Sequence, residues 1–233
     1  KIAQVVSAGN FLVFRTDQNS PVGSAAISID GVNLPFFVIF NSYNKEDPVY
    51  MDSKDAAEYV LNEQGYVFQG GSTENCSGRV WRYAQFNEEV IVATIGLLEE
   101  MYGKYEEITG KKYTPEVDMS SPIDVVRYLT SAGNAIVLTG NWSKTLEKDV
   151  KDRRKKGDKY VKAPWEWTGS DDIFMQYLMR KKEKGVEYPV VDFGQCWVFG
   201  GILNSMCRSI GIPSRHISNF SSAHPNCPTI PGL

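Results

Sequence analysis

Tyr188-Pro189-Val190-Val191 leads toward Phe193-Gly194-Gln195-Cys196-Trp197-Val198-Phe199, and the rest of the 233-residue chain is best understood outward from there. The leading residues read as extended. Beyond the cysteine, Phe199, Ile202, Leu203 and Met206 recur at helical spacing, and Gly211-Ile212-Pro213 closes the helix. This change of period sets Cys196 at or near the N-terminus of a buried helix. Helix amides there favour an anion, so the thiolate, the nucleophilic form, becomes available. Gly194 lets the backbone turn tightly and leaves room for a substrate. Free cysteines are also among the residues most often buried, so these residues alone leave a catalytic and a structural reading both standing. Cys207, further along the same helix among apolar neighbours, reads as core. Cys76 lies in a Gly/Ser/Asn loop with no evident partner.

Upstream, residues 1–40 read as strands. Phe11-Leu12-Val13-Phe14 and Val38-Ile39-Phe40 are apolar, Ala26-Ile27-Ser28-Ile29-Asp30 alternates, and Asn, Asp, Gly and Pro mark the gaps. They suggest the last strands of a β-sandwich whose start is missing. Near Asn41 the pattern changes. Ser53 is placed to cap a helix carrying Ala56, Ala57, Val60 and Leu61. A longer helix fits 87–102. Ser121-Pro122-Ile123-Asp124 is a helix start, with Ser as N-cap and Pro in the first turn. Gly133 ends that helix, and Ala135-Ile136-Val137-Leu138 is a short buried strand. Ser170 caps a further helix with Ile173, Phe174, Tyr177 and Leu178 inward, a basic last turn from Arg180 to Lys184, and Gly185 as stop.

The chain carries 25 Lys+Arg against 28 Asp+Glu, a formal net charge of −3, and is 42% hydrophobic. That balance is globular and lacks the basic excess of a nucleic-acid binder. No apolar run reaches the roughly 20 residues that a helical membrane span needs. The four cysteines (Cys76, Cys196, Cys207, Cys227) show no C-x-x-C spacing, which argues against a common zinc site. Their usage fits a reducing compartment, and with no signal peptide evident the cytoplasm is favoured. Both ends look cut, so a segment of a longer protein is expected. Lys148 to Lys162 is densely basic and reads as a solvated surface loop, with a polyanion- or membrane-binding patch or a proteolysis site as alternatives.

Gly194-Gln195-Cys196-Trp197-Val198-Phe199, followed by Gly211-Ile212-Pro213-Ser214-Arg215 and Asn219-Phe220-Ser221-Ser222-Ala223-His224, resembles the active-site stretch of the animal-type transglutaminases. Supporting matches include Asp47-Pro48-Val49-Tyr50-Met51-Asp52-Ser53, Gly140-Asn141-Trp142-Ser143 and Trp167-Thr168-Gly169-Ser170. The resemblance implies an α+β fold: the end of a β-sandwich over 1–40, then the first part of a papain-like catalytic core over 41–233. It implies acyl transfer from a protein glutamine to a lysine or small amine such as a polyamine, through a thioester on Cys196 with release of ammonia. Trp142 would stabilise the oxyanion through its indole N–H, together with the backbone N–H of Cys196. Trp167 and Trp197 read as core, with Trp197 at the edge of the site. A non-catalytic scaffold of the same fold and a papain-type hydrolase are the alternatives.

Three departures stand against the family pattern. The family completes its triad with a His and an Asp C-terminal of the cysteine motif. The only histidines here are His216 and His224, and neither matches that position, so the segment alone is expected to be nearly inert. Calcium is implied by the family alone. The corresponding runs, Pro225-Asn226-Cys227-Pro228 and Thr130-Ser131-Ala132-Gly133-Asn134, lack the carboxylates a hard cation wants, so weak or absent calcium binding is expected and the metal ligands are unknown. Finally, the segment between Trp142 and Trp167 looks longer than usual and carries the basic run. It could steer acidic substrates or be cleaved for activation.

Overall fold

The structure, a computed structural model, describes residues 2–8, 11–17, 19–183 and 190–220. Two antiparallel hairpins come first. Strands β1 (Ile2–Ala8) and β2 (Phe11–Thr16) form one. Strands β3 (Gly23–Ile29) and β4 (Val32–Val38) form the other, in register from Gly23 opposite Val38 to Ile29 opposite Val32. Asp30 and Gly31 turn the second hairpin with φ of 50° and 81°. Positive φ at both central residues suits the right-handed twist of the strands, and Asp-Gly tolerates it. Each hairpin is a two-stranded sheet of its own among the described residues. The second is anchored to the helical body: the Val22 N–H donates to the Met119 carbonyl and the Phe40 N–H to the Ile210 carbonyl, both at 3.0 Å.

The helical body begins with α1 (Ser53–Ala56), one turn that continues as a π-helical turn over Ala57–Leu61. The cap position is Asp52; Ser53 is the first helical residue, so the expected Ser53 cap shifts by one. A third hairpin follows, β5 (Gln64–Gly70) with β6 (Cys76–Arg82). Cys76 is the first residue of β6 rather than part of a loop. The long helix expected over 87–102 is α2 (Glu88–Gly96), widening into a π-turn at Leu97–Met101. A short α3 (Tyr105–Thr109) ends at Gly110, where φ is 69°. Helix α4 (Pro122–Ala132) has the expected cap, with the Ser121 hydroxyl accepting from the Asp124 N–H at 3.3 Å. Gly133 does not stop it. Its φ of −56° is helical, and the chain runs on as a π-turn through Val137. The strand expected over 135–138 therefore begins only at Leu138, as β7 (Leu138–Gly140).

The basic stretch is a loop only in its second half: Lys148 to Lys155 are helical and residues 156–162 are irregular. Residues Leu146–Lys155 form helix α5, whose Leu146 and Val150 pack with Val161 and Ala163 into a satellite core against Phe193. Helix α6 (Asp171–Lys181) follows, with Ser170 at its N-cap and Arg180 and Lys181 in its last turn. The Ser170 hydroxyl does not cap. It joins a buried chain from the Trp81 indole, 3.0 Å, to the Ser205 hydroxyl, 2.7 Å. The expected stop at Gly185 and the extended run from Tyr188 lie outside the described residues, except Val190 and Val191. Strand β8 (Val191–Gly194) and helix α7 (Cys196–Ser209) complete the body. Val198, Ile202, Met206 and Cys207 of α7 enter the main core between α2, α4 and β6. Arg208 ties the end of α7 to the chain on either side, donating to the Asn62 and Ser214 carbonyls at 2.6 and 2.7 Å. No helix among the described residues is long and apolar enough to cross a membrane.

Candidate active site at the ends of two parallel strands

Strands β7 and β8 pair in parallel, Leu138 opposite Val191, Thr139 opposite Asp192 and Gly140 opposite Gly194. Parallel pairing brings both carboxyl ends to one place, and both strands end in site residues. Strand β7 runs into Asn141-Trp142; β8 runs through Gln195 into α7. Two further bonds lock the junction. The Asn141 N–H donates to the Gly194 carbonyl at 3.1 Å, and the Gln195 side-chain amide donates to the Asn141 carbonyl at 2.9 Å.

Cys196 is the first residue of α7 and is exposed. Gln195, at the N-cap, is extended (φ −136°, ψ −179°) and its carbonyl accepts the Val198 N–H at 2.8 Å and the Phe199 N–H at 3.1 Å. The N–H of Cys196 itself lies one step too early for a helical partner and has none among the described residues. Trp142 is 61% exposed. Its indole stacks on Phe199, ring centroids 6.3 Å apart and planes inclined by 15°. Phe199 sits one turn into α7 from Cys196. Among the described residues no acceptor takes the Trp142 N–H.

The glycines opposite each other in the register create this geometry. A Cβ on Gly140 would lie 2.3 Å from the Trp142 ring, and one on Gly194 would lie 2.4 Å from Leu138 Cδ2. Both would also approach the Phe199 ring, at 3.3 and 3.4 Å. The paired glycines thus open the space in which the two rings sit. The strand beneath is held from below. The Trp167 indole, 2% exposed, donates to the Phe193 carbonyl at 2.8 Å. Arg153 of α5 lies 5.3 Å over the Phe193 ring and pairs with Asp192 at 3.0 Å. It also pairs with Asp158 at 2.6 Å. Burial opposes ionisation of Asp158, but Arg153 and the amides of Tyr160 and Val161 hold its carboxyl below the usual range.

The remaining candidates fall into place or outside view. Cys207 is buried, and desolvation pushes its thiol up to about 12. His216 is partly buried, and desolvation lowers its pKa, so its ring is neutral at pH 7. That ring stands against Gly200, where a Cβ would lie 2.7 Å from Nε2, and its Nδ1 is buried without a partner. No hydrogen bond joins His216 to Cys196. His224 and Cys227 lie outside the described residues. Thr130 to Asn134 are wound into α4 and its π-turn rather than forming a cation loop. Among the described residues no three acidic, His or Cys side chains cluster as metal ligands would. Phe199 as stacking partner and the Gln195–Asn141 clamp were not singled out from sequence. The proximity of Gly140 and Gly194 to aromatic residues was the only available signal.

No protein-family profile matches the chain. Among curated proteins, the hemocyte protein-glutamine gamma-glutamyltransferase of Tachypleus tridentatus is 37% identical over 193 residues, covering 81% of this chain and 21% of its own. Protein-glutamine gamma-glutamyltransferase 4 of Rattus norvegicus is 30% identical over 228 residues, 96% of this chain and 28% of its own. The Homo sapiens coagulation factor XIII A chain is 32% identical over 198 residues, 82% of this chain and 22% of its own. A solved structure of red sea bream transglutaminase superposes with a TM-score of 0.66 at 26% identity, covering 90% of this chain and 31% of the other. The chain thus spans 21% to 28% of the length of these curated relatives. In sequence over most of its length, and in its α+β fold, the chain belongs to the animal-type transglutaminase family.

Proposed function

We propose that this chain supplies the nucleophile and the oxyanion donors of a protein-glutamine gamma-glutamyltransferase. The Cys196 thiolate attacks the side-chain carboxamide carbon of a glutamine in a protein substrate. The oxygen gains negative charge and is met by the indole N–H of Trp142 and the backbone N–H of Cys196. Collapse expels ammonia, once protonated, and leaves a thioester. A lysine or polyamine nitrogen then attacks the thioester carbon, forms the new amide and releases the thiolate. One observation carries this reading: the parallel β7–β8 pair brings an exposed thiol at a helix start and an exposed indole with a free N–H to the same strand ends. Each such donor is worth about 3–4 kcal/mol of barrier in comparable sites.

The described residues hold no general base beside the thiol. His216 makes no hydrogen bond to Cys196, and a proton acceptor is expected from residues outside those described. A papain-like arrangement of the core and a β-sandwich ending near residue 40 remain part of the same reading. The calcium implied by the resemblance does not fit Thr130 to Asn134. These residues offer no carboxylate, and their backbone is helical. No step above is routed through a metal. A non-catalytic scaffold of the same fold is the second reading, favoured by the lack of carboxylates from Thr130 to Asn134. The test is incorporation of a fluorescent primary amine into a glutamine-rich protein by the complete polypeptide that carries this chain. Incorporation abolished by Cys196→Ala supports acyl transfer. Incorporation that survives the substitution refutes it; none with the wild type refutes it and favours the scaffold.

A further inference from the structure

Helix α5 sorts its cations by side. Its arginines face the body: Arg153 pairs with Asp158 and Asp192, and Arg154 pairs with Glu166 at 2.7 Å. Its lysines face solvent. Lys148, Lys151 and Lys155 recur at three- and four-residue steps, which is one face of a helix. Together with Lys144, just before the helix, they line one open depression of about 470 Å³. Glu147 and Asp152 also border it but answer only two of the four cations, Lys151 at 2.7 Å and Lys155 at 4.0 Å. Lys144 and Lys148 have no carboxylate partner among the described residues.

Two further observations make this surface more than a solvated face. The helix is fixed, because Leu146 and Val150 are buried in the satellite core and both arginines are paired. It also starts at the site. Lys144 and Lys148 follow Trp142 by two and six residues, and the turn between is braced by the Asn141 side chain accepting the Ser143 N–H at 2.8 Å. An extended peptide advances about 3.5 Å per residue, so six residues bound the separation at roughly 20 Å. A substrate chain that runs from the site along this stretch would meet Lys144 and Lys148 first, within about six positions of Trp142, and Lys151 and Lys155 beyond them.

We propose that the lysine face of α5 is a docking surface for an acidic segment of the glutamine-bearing substrate, close in sequence to the reactive glutamine. The proposal deepens the acyl-transfer reading and rests on it for the placement of the glutamine. The binding itself is testable without turnover. Charge pairing at such a rim sets preference and salt dependence more than raw affinity.

Fluorescence anisotropy of this chain would be measured with two labelled peptides, one glutamine flanked by four glutamates and the same peptide with serines in their place. The acidic peptide should bind about tenfold more tightly at low salt, and the difference should shrink as salt is raised. The preference should vanish when Lys144, Lys148, Lys151 and Lys155 are changed to Ser. These positions are exposed, and circular dichroism would verify the fold. It should persist after Cys196 is alkylated, which separates docking from acyl chemistry. In the complete polypeptide, the same substitutions should raise KM for the acidic substrate and leave kcat unchanged. Equal binding of the two peptides, or a preference that survives the substitutions, overturns the proposal. So does lysine-dependent binding of heparin or of phosphatidylserine vesicles with no preference for the acidic peptide. If docking is seen and amine incorporation is not, the acyl-transfer reading fails and the surface stands.

Discussion

Alkylation with iodoacetamide separates the two thiols of α7 by a predictable margin. Cys207 is 2% exposed, and desolvation pushes its thiol up to about 12 against an ordinary value of 9.0. At pH 8 a thiol at about 12 is ionised in about one molecule in ten thousand, whereas an ordinary one near 9.0 is ionised in about one in ten. Ionisation alone therefore slows Cys207 by about a thousandfold relative to an ordinary thiol, before access is counted. Cys196 is exposed at the helix start, so it should react in the folded chain while Cys207 stays protected. Exposed Cys76 is the internal reference. Chymotryptic cleavage after Trp197 and Phe199 separates the two α7 thiols for mass spectrometry. In urea all should react alike. The reasoning is wrong if Cys207 labels within tenfold of Cys196, or if Cys196 stays unmodified while Cys76 reacts. The same burial gives a pH dependence. The folded-state value lies above the unfolded one, so the neutral thiol's contribution is complete below about pH 9.0 and is lost as pH rises toward about 12. The unfolding free energy from urea titration should fall over that window by up to about 1.4 kcal/mol per pH unit from this group, a slope that Cys207→Ala should reduce.

Two substitutions test the surroundings of the thiol. Trp142→Phe keeps a ring to stack on Phe199 and removes the five-membered ring with its N–H. Because the side chain is 61% exposed, stability should change by less than about 0.5 kcal/mol, while kcat for amine incorporation falls on the order of a hundred- to a thousandfold. A kcat within threefold of wild type would remove Trp142 from the oxyanion site. Arg153→Met keeps the packing on Phe193 and strips a cation from Asp158 and Asp192. Arg180 at 3.7 Å still answers Asp192, and two amides still answer Asp158. The Arg153 side chain is 34% exposed, so the cost should fall between that of a surface pair and a buried one, about 2 kcal/mol in urea unfolding. A loss under about 0.5 kcal/mol would mean that α5 is not tied to β8 by charge.

The helix carrying Cys196 was legible because its signals agree: apolar residues at helical spacing, an extended run before it and Gly211 after it. The start of α4 was legible for the same reason, with Ser121, Pro122 and Asp124 all pointing to one residue. Its end was not. Gly133 read as a stop, yet the buried Ile136 and Val137 hold the chain helical past it, and packing outweighs a local preference. Helix α5 was missed because its apolar face is only Leu146 and Val150, two residues in a run dominated by charge. Periodicity needs apolar residues to reveal it, and here the face is completed by Val161 and Ala163 from the following chain. The site was legible as residue types but not as an arrangement. Nothing in the sequence states that β7 and β8 pair in parallel, and that pairing brings the strand ends that lead to residues 142 and 196 to one place.

That pairing also explains how a charged helix can be tied to the strand that leads into Cys196 without setting the position of the thiol. The segment from Trp142 to Val161, which contains α5, is pinned at both ends to β8. At its start, Asn141 is bonded to Gly194 and Gln195 at 3.1 and 2.9 Å. At its end, the Lys162 N–H donates to the Asp192 carbonyl at 3.1 Å, and the Phe193 N–H to the Lys162 carbonyl at 2.9 Å. Between the pins, Leu146, Val150, Arg153 and Arg154 are held by packing and charge, whereas the solvent-facing Lys148, Lys151 and Lys155 can vary at little cost to stability. The strand register sets where Trp142 and Cys196 stand. The charge of α5 can then be tuned toward a partner at little cost to the acyl site, so substitutions on the lysine face should alter substrate preference without shifting the thiol.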